Sequence, residues 1–337
     1  LYPTTYPHDP KHPLLSIASF MLTLRRGVVW AVAVLLVVGT VAGCGGGDSS
    51  SPTAPTAVAT AAVTATGASP YGVCFVTSMT AIQTPDFEVI TIPAGDPLSG
   101  RYNKCMKVFG VSLLATPSFS DTNLIYVATI TAEYLDNNED GVPDDLATNA
   151  ALASRYGTMF LAGSWSDGIG PQNTGHLEDS GPLAHIKHMA RQYEDETRPG
   201  GTLCGGRCGT PRDATLEEVL HLIQKGGYAY AHPDLSPGDT FHREVRVPNL
   251  LTEAMDVARG GYHPTTPSVY PDSAWYHYTD QSSGYYEHAV EYFYWGLTTL
   301  FGAQGDLHSA QCEAMLLELE PCTRAKFEAT DVKLYAL

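Results

Sequence analysis

Two adjacent glutamates and a histidine in one short segment supply the residue types for metal chemistry. Residues 215–228 contain Glu217, Glu218 and His221. The segment differs at one position from His-Glu-x-x-His, a helical motif in which two imidazoles bind zinc and the glutamate activates water. Aligned this way, Glu217 is the first ligand, Glu218 the general base and His221 the second ligand. A carboxylate is a harder and less selective ligand than imidazole, so the pattern predicts zinc or another divalent transition metal.

The same segment also fits an ordinary surface helix. At 100° per residue, Leu216, Val219, Leu220 and Ile223 fall on one side, and the acidic residues fall on the other with His221. In this alternative interpretation His221 is a surface residue without a ligand.

A second segment, residues 287–302, is apolar or aromatic on nearly every face of its predicted helix and carries Glu287 and Glu291 one turn apart. An ionised carboxylate in such a helix is costly unless a cation compensates it. Glu291 is therefore predicted as a third metal ligand, with Glu287 as a weaker candidate. The alternative is that both bond to tyrosine hydroxyls or to Arg259. A glycosidase would instead need Glu218 and Glu291 about 5–9 Å apart.

An acidic segment between two predicted helices resembles the first half of a calcium loop. Oxygen-bearing side chains alternate along it, and Gly141 allows the sharp turn that such loops need. Ala147 stands where a bidentate Glu is usual, and Asp145 is the expected substitute. The alternative is a solvated turn that caps the following helix. The predicted structural Ca²⁺ ligands are Asp136, Asn138, Asp140, Val142 through its carbonyl group, Asp144 and Asp145.

Histidines elsewhere provide further hypotheses. His185 and His188, three residues apart in a predicted helix, form a second candidate metal pair, for which a surface location is the alternative. Three more histidines lie among aromatic residues and are predicted to line a pocket, namely His263, His277 and His288.

The N-terminal region has the features of an export signal. Met21 and two arginines precede an apolar run, and residues 41–44 resemble the bacterial lipobox, in which the cysteine is lipidated. A plain signal peptide and a retained anchor helix are the alternatives. The predicted segments are an upstream extension over 1–20, a lipoprotein signal peptide over 21–43, a flexible tether over 44–72 that starts at the lipidated Cys44, and a single metal-binding globular domain over 73–337.

Charge and cysteine content agree with export to the bacterial envelope, at the outer membrane or cell surface. The formal net charge of −17 argues against nucleic acid as a partner. Six cysteines remain besides the lipidation candidate, and six allow fifteen pairings. Proximity in sequence favours Cys74–Cys105, Cys204–Cys208 and Cys312–Cys322, although the middle pair could also belong to a metal site.

Hydrophobic patterns predict an α+β fold that is predominantly helical, with a small N-terminal β portion packed on a helical, zincin-like portion. The loops expected between the elements include 165–182 and 262–283. Strands are predicted over 106–117 and 157–164, and helices over 121–136, 182–196, 213–226, 248–261, 287–302 and 308–320.

The order of several motifs resembles a family of exported proteins without an established activity. The motifs, which span roughly residues 105–305, are VFGV, EYLDNNEDGVPD, ATLEEVLHLI, EAMDVARGG, AWYHY and EYFYWGLTTLFG. The resemblance implies that the acidic loop and both glutamate-bearing helices belong to one domain. A more distant, motif-level likeness to gluzincin metallopeptidases implies that a downstream glutamate, here Glu291, completes the metal site.

The resulting hypothesis is a membrane-anchored exported metalloprotein, a zincin-like hydrolase acting on peptide or cell-envelope material. Glu218 would be its base, and Tyr278 or Tyr294 would stabilise an oxyanion. The alternative is a non-catalytic surface protein on the same fold that binds metal or glycan.

Overall fold

A computed structural model describes residues 71–75, 87–164, 167, 183–201, 212–238, 242–306, 312 and 318–337. The predicted signal peptide, nearly all of the tether, the Cys204–Cys208 pair and most of the predicted helix over 308–320 lie outside these residues. Within the described part of the chain, no helix has both the length and the apolar character needed to cross a membrane.

A five-stranded mixed sheet forms one part of the fold. Its spatial order follows the sequence, with β1, β2 and β3 antiparallel and β3, β4 and β5 parallel. Every residue of β3 and β4 is buried, as expected for central strands covered on both faces. The strands are β1 Ile90–Thr91, β2 Lys104–Val108, β3 Val111–Ala115, β4 Thr158–Ala162 and β5 Met189–Tyr193.

The prediction of one strand over 106–117 is wrong, because the chain reverses within it. Phe109 and Gly110 connect β2 to β3 as a two-residue turn, and both have positive φ, 46° and 88°. Two consecutive residues with positive φ match the right-handed twist of a hairpin. The continuous apolar character of the segment concealed this turn.

The helix predicted over 182–196 is also wrong. Residues Met189–Tyr193 form β5, which pairs in parallel with β4, and Glu194–Glu196 form a 3₁₀ turn. Along β5 the buried residues are Ala190 and Gln192, which gives the period of two typical of a strand. In so short a segment the periodicity is ambiguous, and pairing with β4 determines the outcome.

The helices predicted over 121–136, 213–226, 248–261 and 287–302 are observed close to those positions, whereas the helices Leu146–Ser154, Arg324–Thr330 and Val332–Tyr335 were not predicted. The predicted α+β class is confirmed. Beyond the helix Thr215–Ile223, the chain continues through the π-helical segment Gln224–Tyr228 and a single turn, Ala229–Ala231. The helices are α1 Asp121–Leu135, α2 Leu146–Ser154, α3 Thr215–Ile223, α4 Leu250–Ala258, α5 Tyr285–Leu300, α6 Arg324–Thr330 and α7 Val332–Tyr335, with a 3₁₀ turn at Pro233–Leu235.

Helix α3 lies between two hydrophobic cores. Leu216, Val219 and Leu222 belong to the core shared with the sheet and α1. Leu220 belongs to the core formed with α4, α5 and the C-terminal helices. The interpretation of this segment as a surface helix is therefore wrong, since the side chain of His221 is also buried, with 6% exposure.

Two of the predicted disulfides are confirmed. Cys74–Cys105 joins the segment before the sheet to β2, and Cys312–Cys322 closes a short loop near the C-terminus. Structural disulfides of this kind are typical of proteins outside the reducing cytoplasm.

Candidate metal centre

The start of α3 is fixed by a buried aspartate. Asp213 Oδ1 accepts hydrogen bonds from the Thr215 backbone N–H (3.1 Å) and hydroxyl (2.7 Å). The Tyr126 hydroxyl of α1 donates to Asp213 Oδ2 at 2.6 Å. These contacts attach the helix terminus to α1 and place Glu217 and Glu218 in the first turn, where the helix dipole favours negative charge.

Glu217, Glu218 and His221 form a compact group of ligand atoms. One ligand atom from each lies within 4.8 Å of the other two, and this is the only such group of three or more found among the described residues. The side chain of Glu217 is 16% exposed, so the group is sheltered from bulk water. Atoms this close can contact a single ion.

The imidazole of His221 has a polar atom without a partner. Its Nε2 is buried and accepts or donates no hydrogen bond within the described part of the chain. A buried polar atom left unpaired costs on the order of 1–3 kcal/mol. The ring also packs edge-on against Tyr294, with 5.8 Å between centroids. Metal coordination would satisfy this nitrogen.

Glu291 approaches the group from α5. Its Oε1 lies 3.6 Å from His221 Nε2, which is too far for a good hydrogen bond, and its side chain is 15% exposed. Of the predicted ligands, Glu217 therefore lies in the same group as His221, and Glu291 lies beside His221 at the contact between α3 and α5.

Burial perturbs the acid–base properties of this group. It raises the pKa of Glu218 to about 8, with a further contribution from the charge of Glu217. It also raises the pKa of Glu291 well above its ordinary value, and the charges of Glu217 and Glu318 act in the same direction. Burial lowers the pKa of His221 well below its ordinary value. At neutral pH the metal-free group thus holds a largely protonated Glu218 and a neutral imidazole. The neutral imidazole is the form of histidine that binds metals.

Two basic residues lie beside the carboxylates. Arg212 forms an ion pair with Glu217 Oε2. Lys225 follows His221 by four residues; burial lowers the pKa of its ammonium group, while Glu218 and Glu291 act in the opposite direction. The sequence interpretation missed both residues, although the i, i+4 spacing of His221 and Lys225 was a visible signal.

Glu287 is not brought into this group. Its Oε2 accepts a hydrogen bond from Gly284 N–H at 3.2 Å and its Oε1 pairs with Arg243, so it caps the start of α5. Its prediction as a ligand is not supported by this placement. The buried Arg259 donates to the backbone carbonyl groups of residues 263 and 265 rather than to either glutamate.

In the acidic loop, side-chain oxygens accept hydrogen bonds from the backbone N–H groups of the loop itself. Asp136 is fully buried and accepts hydrogen bonds from the N–H groups of Asp140 (3.2 Å) and Gly141 (2.8 Å). Asn138 Oδ1 accepts from Asp140 N–H, and Asp144 Oδ1 accepts from the Asn138 side chain. A calcium ion at this loop remains a prediction.

Asp145 has the capping role named as the alternative. Its Oδ1 accepts from the N–H groups of Ala147 (3.0 Å) and Thr148 (3.3 Å) at the start of α2. Its Oδ2 lies 2.5 Å from His232 Nε2. The side chain of Val142 is 54% exposed, and only its carbonyl group was proposed as a ligand.

His185 and His188 do not share a helix, because the helix predicted over 182–196 does not form. His185 stacks on Tyr71 with 3.8 Å between ring centroids, whereas His188 Nε2 lies 2.9 Å from the Tyr230 hydroxyl. Burial lowers the pKa of His188 to about 4. The two rings thus occupy different environments, and the candidate metal pair is not formed.

The tyrosines proposed as oxyanion donors lie in the electrostatic surroundings of Glu291. Burial raises the pKa of Tyr278 and of Tyr294, and the Glu291 charge contributes in both cases. Both phenols therefore remain protonated and able to donate at neutral pH.

A cavity of about 650 Å³ lies elsewhere, between the acidic loop and the C-terminal helices. Its lining includes Tyr134, Asp144, Phe293, Leu297 and Leu334, and none of the four residues of the metal group.

Neither a family model, nor a curated protein, nor a solved structure matches this chain. The functional assignment therefore depends on the geometry of the site.

Proposed function

We propose that this protein binds one divalent transition-metal ion between α3 and α5. The ligands are drawn from Glu217, Glu218, His221 and Glu291. The observation that carries the proposal is the group of Glu217, Glu218 and His221 ligand atoms within 4.8 Å of one another, in which the His221 ring also has a buried, unpartnered Nε2.

The charges of the group favour a cation. Three carboxyl groups are crowded in a sheltered volume, and burial raises the pKa of both Glu218 and Glu291. A bound divalent ion compensates the charge of ionised carboxylates, which offsets the cost of ionising them in a poorly hydrated site. Arg212 and Lys225 contribute positive charge, but neither provides a hydrogen-bond partner for the Nε2 atom of His221.

Metal binding is tested by equilibrium dialysis of the purified chain against Zn²⁺, Mn²⁺ and Co²⁺, with metal content measured by elemental analysis. We expect about one ion per chain, and an affinity at least 10-fold lower in His221→Ala. His188→Ala, which removes a half-buried imidazole outside the group, is the control and should retain the ion. Absence of metal in the wild-type protein, or equal binding by His221→Ala, would refute the proposal.

A hydrolase is the second candidate function, and the acid–base character of Glu218 favours it. A carboxyl group with a pKa of about 8 exchanges protons near neutral pH, as a general base or acid must. In this mechanism Glu217, His221 and Glu291 would hold the metal, whose charge would favour the ionised form of Glu218. Glu218 would then take a proton from the water that attacks the scissile bond and pass it to the leaving group, with peptide or cell-envelope material as the substrate.

Conservative variants distinguish the metal-binding function from the hydrolase function. If Glu218 is the base, Glu218→Gln retains the ion and loses turnover of peptide libraries or peptidoglycan fragments, whereas Glu217→Gln lowers metal affinity. If the protein only binds metal, the loaded wild-type protein has no turnover, and Glu218→Gln lowers affinity because Glu218 is then a ligand.

Attachment to the bacterial membrane through a lipid on Cys44 is part of the same proposal. Its support is the basic and apolar sequence before this cysteine and the tether after it. Mass spectrometry of the protein from membranes should find an acylated N-terminal cysteine, and Cys44→Ala should abolish both the modification and membrane retention.

A further inference from the structure

A second unpartnered polar side chain lies one turn beyond His221. Gln224 is fully buried, and neither its Oε1 nor its Nε2 has a hydrogen-bond partner among the described residues. Burying an amide without hydrogen bonds is unfavourable, because the group loses its bonds to water and gains none in return. Such a group requires an explanation, because buried polar side chains are nearly always paired.

The helix places Gln224 on the same face as the metal group. At 100° per residue, Glu217, Glu218, His221 and Gln224 fall within a sector of about 120°. The backbone at Gln224 is still α-helical, with φ −63° and ψ −54°, so this rotation holds as far as residue 224. The π-helical widening follows at Gln224–Tyr228.

The chemistry of an amide suits the same ion. An amide oxygen is a neutral, hard ligand that binds divalent cations without adding charge to a group that already holds three carboxyls. Gln224 and His221 are then explained together, because one ion would satisfy two of the buried polar side chains that have unpartnered atoms in the described part of the chain.

We propose that Gln224 is a further ligand of the metal centre, through its Oε1. This inference rests on the proposed metal binding. Carboxylate and amide oxygens with a single imidazole form an oxygen-rich ligand set, which suits a six-coordinate ion such as Mn²⁺ better than tetrahedral Zn²⁺. The class of ligand is therefore a hard, octahedral divalent cation.

The test compares two variants that each remove a buried, unpaired amide. Gln224→Met removes the proposed ligand and keeps a side chain of similar length. Asn149→Leu is the matched control, because Asn149 is also fully buried with both amide atoms unpartnered among the described residues, but lies on α2. Isothermal titration with MnCl₂ and with ZnCl₂ measures both affinities, and thermal unfolding in EDTA measures the stability of the metal-free proteins.

We expect Gln224→Met to lower Mn²⁺ affinity by 10- to 100-fold, and Zn²⁺ affinity by less, while Asn149→Leu leaves both unchanged. The metal-free Gln224→Met protein should be at least as stable as the wild type, since an unpaired amide is removed. In the Co²⁺-loaded protein, the weak absorption of a six-coordinate ion should become more intense in Gln224→Met. Gln224→Glu, which retains an oxygen ligand, should preserve Mn²⁺ binding even if Gln224→Met does not fold.

Three results would overturn this inference. The first is wild-type Mn²⁺ affinity in Gln224→Met, and the second is an equal loss of affinity in Asn149→Leu. The third is loss of Mn²⁺ binding in a folded Gln224→Glu. If the wild-type protein binds no ion, the proposed function fails as well. If it binds an ion that His221→Ala loses and Gln224→Met retains, only the role of Gln224 is refuted.

Discussion

The protonated carboxyl of Glu218 should make the metal-free protein less stable as the pH rises. Burial raises the pKa of Glu218 from 4.5 to about 8 in the folded protein. Between these values the folded state holds a proton that the unfolded state has released. The stability associated with this group is therefore fully present below about pH 4.5 and is lost as the pH rises through 8.

Replacing Glu218 with Gln removes this titration and preserves the shape of the protonated side chain. Each pH unit between the two pKa values corresponds to about 1.4 kcal/mol. From pH 5 to pH 8, the free energy of unfolding of the wild-type protein should thus fall by roughly 3–4 kcal/mol relative to Glu218→Gln. The other titrating groups, including Glu291 and Lys225, are present in both proteins and largely cancel in this difference.

Urea denaturation of both proteins in EDTA at pH 5, 6, 7 and 8 measures this effect. Glu253→Gln, at an exposed position, is the control for the exchange of a glutamate for a glutamine. A difference between Glu218→Gln and the wild type that is constant from pH 5 to pH 8 would refute the reasoning. Saturating metal should reverse the trend in the wild-type protein, because the ion competes with protons for the same carboxyl groups.

Three further predictions concern the scaffold. Replacing Cys74 and Cys105 with alanine opens a loop of 31 residues and should lower the free energy of unfolding by about 3–4 kcal/mol in urea denaturation; a loss below 1 kcal/mol would contradict this estimate. Asp145→Ala removes the cap of α2 and should lower the free energy of unfolding by about 1–2 kcal/mol at pH 7. Asp145→Asn should retain most of this stability, because an asparagine side chain can also cap a helix. Equal losses in the two variants would exclude the capping role. Gly227→Ala would place a Cβ 2.7 Å from a threonine methyl group and should lower the stability of the protein by about 1–3 kcal/mol. Gly100→Ala is the control, because its Cβ would meet no atom within 4 Å. Thermal unfolding compares the two variants, and equal effects would contradict the steric argument.

Several features of the fold were predictable from local sequence. The long periodic helices α1 and α5 and two disulfides follow from spacing that needs no knowledge of distant partners. The turn at Phe109 and Gly110 was not predicted, because a non-glycine residue with positive φ has no strong local signal. Strand β5 was mistaken for a helix because only its pairing with β4 distinguishes the two at this length.

The candidate site was predictable in part. The spacing of Glu217 and His221 placed both on one helix face, and the apolar surroundings of Glu291 identified it as an unusual carboxylate. The helical wheel predicted an exposed His221, because it records the angle around one helix and not the packing of a second helix against that face. Gln224 was overlooked because a glutamine carries no charge and belongs to no familiar ligand motif.

The sequence by itself determined the residue types available to the site and the location of α1, α3, α4 and α5, and it favoured the two cysteine pairs that form, since these depend on local spacing and periodicity. Only the tertiary structure decided that α3 lies between two cores, that Glu291 reaches His221, and that Glu287 caps a helix instead. The physical reason is that burial arises from chain segments that are distant in sequence and together exclude water. This burial raises the pKa of Glu218 and leaves atoms of His221 and Gln224 without hydrogen-bond partners.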